Sequence, residues 1–129
     1  MLIKFSESSA AAEEYFLPAE KLLQGNPRQT VWIHYADASG KFSSGVWSSE
    51  PGKWKISYTE EEFCHMIEGR SVITENGGAS VEVSAGDSFV IPRGFAGTWE
   101  VVERTTKEFA IYEPGAQLGK KSARLSSLR

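Results

Sequence analysis

The sequence contains few of the side chains that build disulfides and transition-metal sites. It has one cysteine, Cys64, and two histidines, His34 and His65, in 129 residues. A single cysteine cannot form an intramolecular disulfide, so a reducing compartment is the default and we expect a cytoplasmic protein.

Long apolar runs and an excess of positive charge are missing as well. No window approaches the ~20 apolar residues that span a bilayer, and the first sixteen residues lack the continuous apolar core of a signal peptide. The formal net charge is −3, whereas nucleic-acid binders usually carry a strongly basic face. We therefore expect one soluble domain, long enough to bury a core, with no membrane or nucleic acid as a partner.

What the chain does contain is a succession of short strand-like runs between residues 30 and 112, separated by turn residues. Asn76-Gly77 is a strong hairpin signal, because both residues tolerate the positive φ of a type I′ turn. This spacing predicts an all-β sandwich or barrel. Residues 10–23 look helical instead, with Pro18 as an interruption. The strand-like runs are TVWIHY, KWKISY, FCHMI, SVITE, SVEVS, SFVIP, GTWEVVE and KEFAIYE.

These patterns divide the chain into three parts. Residues 1–29 form a helical or irregular arm that packs on the barrel, residues 30–114 form the β-barrel, and residues 115–129 form a tail. The tail carries four basic residues and no acidic residue. Its composition is typical of a mobile terminus, while Leu118, Leu125 and Leu128 leave room for docking on a partner subunit.

Two glycine-rich motifs link the chain to a known family. The first is EFCHMIEG, which contains Glu62 and Gly69, and the second is GDSFVIPRGFAGTW, which fits G-x5-P-x-G through Gly86, Pro92 and Gly94. With them, residues 47–112 resemble the conserved half-barrel of the cupins. They are most similar to the small single-domain branch that includes the ureidoglycine aminohydrolase and ethanolamine-utilisation cupins. The resemblance implies a jelly-roll barrel (a double-stranded β-helix), a fold that hosts many unrelated chemistries.

The metal ligands of typical cupins are mostly missing. The resemblance puts Glu62 at the position of the carboxylate ligand. The two histidines before it would fall on Lys55 and Ser57, or on the residue after each, and the later histidine would fall on Gly97. Since catalytic metal sites normally use about three protein ligands, we expect no metal. A weak divalent metal at Glu62 is the less favoured alternative.

Strand alternation also divides the Cys-His-Glu cluster around residue 64. Successive side chains of a strand point to opposite faces. If Glu62 faces inward, as in cupins, Cys64 faces inward with it. His65 then lies on the other face with Phe63 and Ile67, toward solvent or a subunit contact.

The same reasoning predicts an aromatic-rich pocket inside the barrel. Desolvation would make Glu62 a candidate proton donor or acceptor. Cys64 has no evident base nearby in sequence, and a buried free cysteine usually packs as a small hydrophobe. The expected inward set is Trp54, Tyr58, Glu62, Cys64 and Trp99, with Trp47 and Phe95 near the mouth.

Three functions remain open at this point, with a small-molecule ligand and a homodimer as the expected partners. An enzyme would use Glu62 as acid–base catalyst, with Tyr58 assisting. A non-catalytic binding or sensing module would use an aromatic cage. A dimeric scaffold would cover the outward face of residues 63–67. We favour the enzyme slightly, because the resemblance includes an aminohydrolase. The expected ligand-binding residues are Trp47, Trp54, Cys64, Phe95 and Trp99.

Overall fold

The computed structural model describes residues 1–115, which form an almost entirely β structure. No α-helix occurs within this range, and two short 3-10 turns lie at Phe5–Glu7 and Ala19–Lys21. The all-β fold predicted from the turn spacing is therefore confirmed. The strands are β1 (Glu13–Tyr15), β2 (Leu22–Gln24), β3 (Gln29–Ala36), β4 (Phe42–Ser49), β5 (Gly52–Ser57), β6 (Glu61–Glu75), β7 (Ser80–Ser84), β8 (Ser88–Ile91) and β9 (Ala96–Tyr112).

Two long antiparallel strands, β6 and β9, form the seam of the curled sheet. They pair from Glu61 opposite Tyr112 to Glu75 opposite Gly97. Along the other edge of β9, its second half pairs with β4 and its first half with β5. Strand β6 also pairs with β7 and β8, and β1 and β2 complete the sheet on β3 and β5. This arrangement is the barrel that the motif resemblance implies.

The cupin resemblance implies that Gly69 is a turn glycine that ends its strand. This expectation is wrong, because β6 continues through Gly69. Gly69 has a φ of +89°, and a Cβ there would collide with the backbone oxygen of Arg104. The β6–β9 register shifts between Met66 and Ser71. Even-numbered side chains are buried before this bulge, whereas Ser71 and Ile73 are buried after it. One glycine thus lets a single strand change which residues face the core.

The helical alternative for residues 10–23 is also wrong. Strand β1 pairs with β3, and β2 pairs with β5. Leu17, which lies between β1 and β2 in the sequence, is buried in the core, and Leu22 packs against it. The backbone of this segment therefore pairs with two edges of the sheet, and Leu17 and Leu22 contribute to the barrel core.

Three tryptophans form the centre of that core. Trp47, Trp54 and Trp99 are each at most 1% exposed. The ring centroid of Trp47 lies 6.1 Å from that of Trp54 and 5.6 Å from that of Trp99. These are tilted and edge-on arrangements, which aromatic pairs prefer over face-to-face stacking.

The predictions made for the basic tail fall almost wholly on residues 116–129, which lie outside the described residues. Over residues 1–115, no helix has the length and apolar character required to cross a membrane.

Candidate functional site

A charged pair lies inside the barrel. Glu62 on β6 and Lys107 on β9 both have no exposed surface, and Lys107 Nζ lies 2.8 Å from Glu62 Oε2. It is the only ion pair between fully buried side chains within residues 1–115. Moving two charges out of water costs several kcal/mol per ion, so the pair depends on further partners.

Tyr58 and Cys64 supply those partners. The hydroxyl of Tyr58 donates a hydrogen bond of 2.7 Å to Glu62 Oε1, so both carboxylate oxygens are bonded. Lys107 Nζ also donates to Cys64 Sγ at 3.6 Å. We call these four residues, Tyr58, Glu62, Cys64 and Lys107, the core cluster.

Two indole rings enclose the ammonium group of the core cluster. Lys107 Nζ lies 4.8 Å from the ring centroid of Trp47 and 4.5 Å from that of Trp99. A desolvated cation over an aromatic face gains about 2 kcal/mol. The tryptophans therefore stabilise a positive charge in a space from which water is excluded.

Burial and neighbouring charges set the protonation states of the cluster. Burial, reinforced by the charge of Glu62, holds the pKa of Tyr58 and of the Cys64 thiol well above the usual values, so both stay protonated. Burial alone would lower the pKa of Lys107, but contacts with Cys64 and Glu62 raise it above the ordinary value. Because the thiol is neutral, the Glu62 carboxylate is the partner that keeps the ammonium charged. Cys64 is therefore a poor nucleophile in this arrangement.

A second buried acid, Glu60, lies beside the core cluster. Its Oε1 accepts a hydrogen bond of 3.0 Å from the backbone N–H of Thr59, while its Oε2 has no partner among the described residues. Burial raises the pKa of Glu60 to about 7, with added contributions from the charges of Glu62 and Glu113. Glu60 thus changes its charge near neutral pH.

The side chains around Glu62 do not fit a cupin metal. Both of its oxygens are engaged by Tyr58 and Lys107. At the later histidine position, a side chain on Gly97 would collide with the backbone oxygen of Thr74. Residues 1–115 contain no group of three His, Cys, Asp or Glu side chains placed to hold a metal ion. Lys107 instead supplies the positive charge beside the carboxylate.

An open groove lies next to this closed interior. Its volume is about 220 Å³. The Phe95 ring, in its wall, contacts the Tyr58 ring edge-on at 6.5 Å between centroids, and Phe89 lies 6.2 Å from Trp99. Two phenylalanine rings of the groove wall thus contact aromatic side chains of the interior. The groove is lined by Ile73, Glu75, Ala79, Val81, Val83, Phe89, Val90, Ile91 and Phe95.

The structure brings most of the predicted site residues together, though in two places. Glu62, Cys64 and Tyr58 meet in the core cluster, and Phe95 lies in the groove wall. Trp47, predicted near the mouth, is fully buried with Trp54 and Trp99. The roles assigned to these residues stay predictions.

Lys107 was missed by the sequence reasoning. In KEFAIY, alternation puts Lys107 on the same face as the apolar residues Phe109 and Ile111. A lysine in register with apolar neighbours was the available signal for a buried cation.

Residues 36–109 match the family model for the EutQ-like cupin domain. The match covers more than half of the chain, and the protein belongs to this family. The cupin resemblance drawn from the glycine motifs is confirmed, including its ethanolamine-utilisation branch. No curated protein matches the sequence.

Solved structures agree on the fold. A Pseudomonas syringae pv. tomato protein of unknown function is 22% identical with a TM-score of 0.72, over 80% of this chain and 45% of that one. The chain thus spans less than half of that relative. A putative ethanolamine utilization protein Q from Salmonella typhimurium is 12% identical with a TM-score of 0.60, over 82% and 98% of the two chains. The Clostridium difficile EutQ protein is 14% identical with a TM-score of 0.53, over 89% and 76%.

Proposed function

We propose that this cupin binds a small, mainly apolar molecule in the groove beside Phe95. The observation that carries the proposal is the contrast in access. The core cluster is enclosed and its polar groups satisfy one another, whereas the groove of about 220 Å³ is open. A single cysteine, kept reduced, supports the cytoplasm as the place where this binding occurs.

The size and lining of the groove define the class of ligand. A cavity of about 150 Å³ lined by aliphatic and aromatic side chains accommodates benzene, so this groove has room for a substituted six-membered ring. Eight of its nine lining residues are apolar, and Glu75 is the exception. We therefore expect a neutral or cationic ring compound, since Glu75 disfavours an anion.

A binding assay on the full chain tests this proposal. Calorimetric titration with substituted benzenes and cyclohexanes is expected to show saturable binding to the natural protein. Val81→Glu, which adds a charge in the groove wall, is expected to weaken it at least tenfold. Leu23→Glu, at a similarly exposed position on β2, is the matched control. Absence of binding, or equal loss in both variants, contradicts the proposal.

The core cluster favours a second candidate, catalysis on a bound ligand. The specific observation is the direct hydrogen bonding of Tyr58 and Lys107 to Glu62 in a water-excluded space. Such a set is able to hold and move a proton at the Glu62 carboxylate. A ligand in the groove would lie against Phe95, whose ring contacts the Tyr58 ring of the cluster.

Turnover and binding separate the two candidates. Once a ligand is known, an acid–base role for the cluster predicts that Glu62→Gln removes turnover while groove binding persists. Tyr58→Phe is expected to shift the pH profile of turnover. If no chemical change of the ligand occurs in the natural protein, the binding function stands alone.

A further inference from the structure

A second depression, with a volume of about 350 Å³, adjoins the apolar groove. Glu75 and Phe95 line both spaces, so the groove and the depression meet at these two side chains. The remaining lining of the depression is Pro92, Arg93 and Gly94. The chemical character therefore changes at this junction, from an apolar groove to a depression that carries one charge of each sign.

The turn that carries Arg93 is fixed by backbone hydrogen bonds. The N–H of Gly94 donates to the carbonyl oxygen of Tyr58 at 2.8 Å, and the N–H of Tyr58 donates to the carbonyl oxygen of Phe95 at 2.9 Å. Gly94 has a φ of +92°, which glycine adopts without the steric cost of a Cβ. The backbone from which the Arg93 side chain extends is thus held before a ligand arrives, which lowers the entropy cost of binding.

The two charges beside the depression have no counter-ion in the described part of the chain. Glu75 and Arg93 are both exposed, and neither takes part in an ion pair within residues 1–115. Arg70, by comparison, contacts two acidic side chains. A guanidinium presents a planar set of donors that matches a carboxylate. Both charges therefore remain available to a bound molecule.

We propose that the ligand of the groove is a zwitterion with an apolar body, of the class that an aromatic amino acid represents. This inference rests on the proposed function, because it puts the apolar ring in the groove. The ligand's carboxylate contacts Arg93 and its ammonium group contacts Glu75. A plain anion would be attracted by Arg93 but repelled by Glu75, and a plain cation would meet the reverse. A molecule that carries both charges complements both side chains.

Four probes that share a phenyl ring and differ in charge test this inference by calorimetric titration of the full chain. They are phenethyl alcohol (neutral), phenethylamine (cation), hydrocinnamate (anion) and phenylalanine (zwitterion). Because exposed ion pairs contribute modestly, we expect phenylalanine to bind about fivefold more tightly than phenethylamine. Hydrocinnamate is expected to bind no more tightly than phenethyl alcohol, since the repulsion by Glu75 offsets the attraction by Arg93.

Two variants assign the preference to its residues. Arg93→Gln is expected to remove the advantage of phenylalanine over phenethylamine while phenethylamine still binds, which also shows that the variant is folded. Glu75→Gln is expected to remove the advantage of phenylalanine over hydrocinnamate. Arg28→Gln is the control, because Arg28 is exposed and lines neither space. It is expected to bind all four probes as the natural chain does.

The outcomes separate this inference from the binding function on which it rests. If the uncharged and cationic probes bind and phenylalanine binds no more tightly, the zwitterion is wrong and the binding function stands. If phenylalanine is preferred but the preference survives Arg93→Gln, its carboxylate is recognised elsewhere and the inference is again wrong. If none of the four probes binds, the proposed function and this inference are both contradicted.

Discussion

The two faces of strand β6 each carry residues that are unusual there, a buried acid on one and exposed apolar side chains on the other. Its inward face presents Glu62 and Cys64, which have no exposed surface, while its outward face presents Phe63 and Ile67, exposed by about half. Acids are almost never fully buried unless paired. The comparison teaches that hydrophobicity alone does not orient this strand. The charge on the inward face depends on partner side chains, whereas the apolar side chains of the outward face remain half exposed.

Removing the charge of Lys107 is expected to cause the largest loss of stability. Lys107→Met leaves the Glu62 carboxylate buried without its cation. We expect a loss of about 3–5 kcal/mol in the free energy of unfolding at pH 7, as for other broken buried pairs. Urea unfolding followed by tryptophan fluorescence measures this change.

A double variant distinguishes the charge from the packing of Lys107. Glu62→Gln with Lys107→Met removes both charges and is expected to recover most of the lost stability, because a neutral pair has no uncompensated ion. If the double variant is as unstable as Lys107→Met alone, the stem of the lysine, and not its charge, is what the barrel requires.

Glu60 sharpens the comparison, because it is a buried acid beside the cluster whose second oxygen has no described partner. Its folded-state pKa of about 7 exceeds the ordinary value of 4.5. The favourable contribution of Glu60 to the free energy of unfolding is therefore complete below about pH 4.5, and it is lost as the pH rises through 7. Glu60→Gln is expected to stabilise the protein at pH 8 by up to about 3 kcal/mol and to have little effect at pH 4.5. Unfolding curves at the two pH values check the sign, and an equal effect at both would contradict it.

Tyr58 is the neutral hydrogen-bond partner of the Glu62 carboxylate. Tyr58→Phe removes the 2.7 Å hydrogen bond to Glu62 while keeping the ring beside Phe95. Hydrogen bonds to charged groups contribute about 1.5–3 kcal/mol, so we expect a loss of about 2 kcal/mol in urea unfolding. Tyr35→Phe, on an exposed ring, is the control and is expected to leave stability unchanged.

The smallest effect on stability is expected from a substitution on the outward face of β6. Phe63→Ser removes an aromatic ring that is 47% exposed. We expect the free energy of unfolding to change by less than about 0.5 kcal/mol, as for most surface substitutions. A loss approaching that of Lys107→Met would mean that Phe63 belongs to the monomer core.

Strand alternation predicted much of this comparison. In FCHMI it correctly put Cys64 and Met66 inward with Glu62, and Phe63 and Ile67 outward. Alternation failed at Gly69, because a bulge keeps the strand going while shifting its phase, and the clash that requires glycine there involves Arg104, 35 positions further along the chain. Local sequence does not contain that contact.

The composition of the core cluster was predictable only in part. Glu62 and Tyr58 lie four residues apart, so a contact between their side chains is predictable from the local sequence. Lys107 reaches Glu62 only because β9 pairs with β6 in the register observed here. That register follows from the folding of the whole sheet, so a sequence pattern indicates a buried lysine without naming its partner.

The Glu62–Lys107 pair also determines when the positive charge beside the carboxylate becomes present. A cupin that depends on a metal must be loaded after synthesis and is emptied by chelators. Here the positive charge beside the carboxylate is a peptide side chain, so it is present as soon as the chain folds. The positive charge beside the Glu62 carboxylate is then supplied by the chain itself.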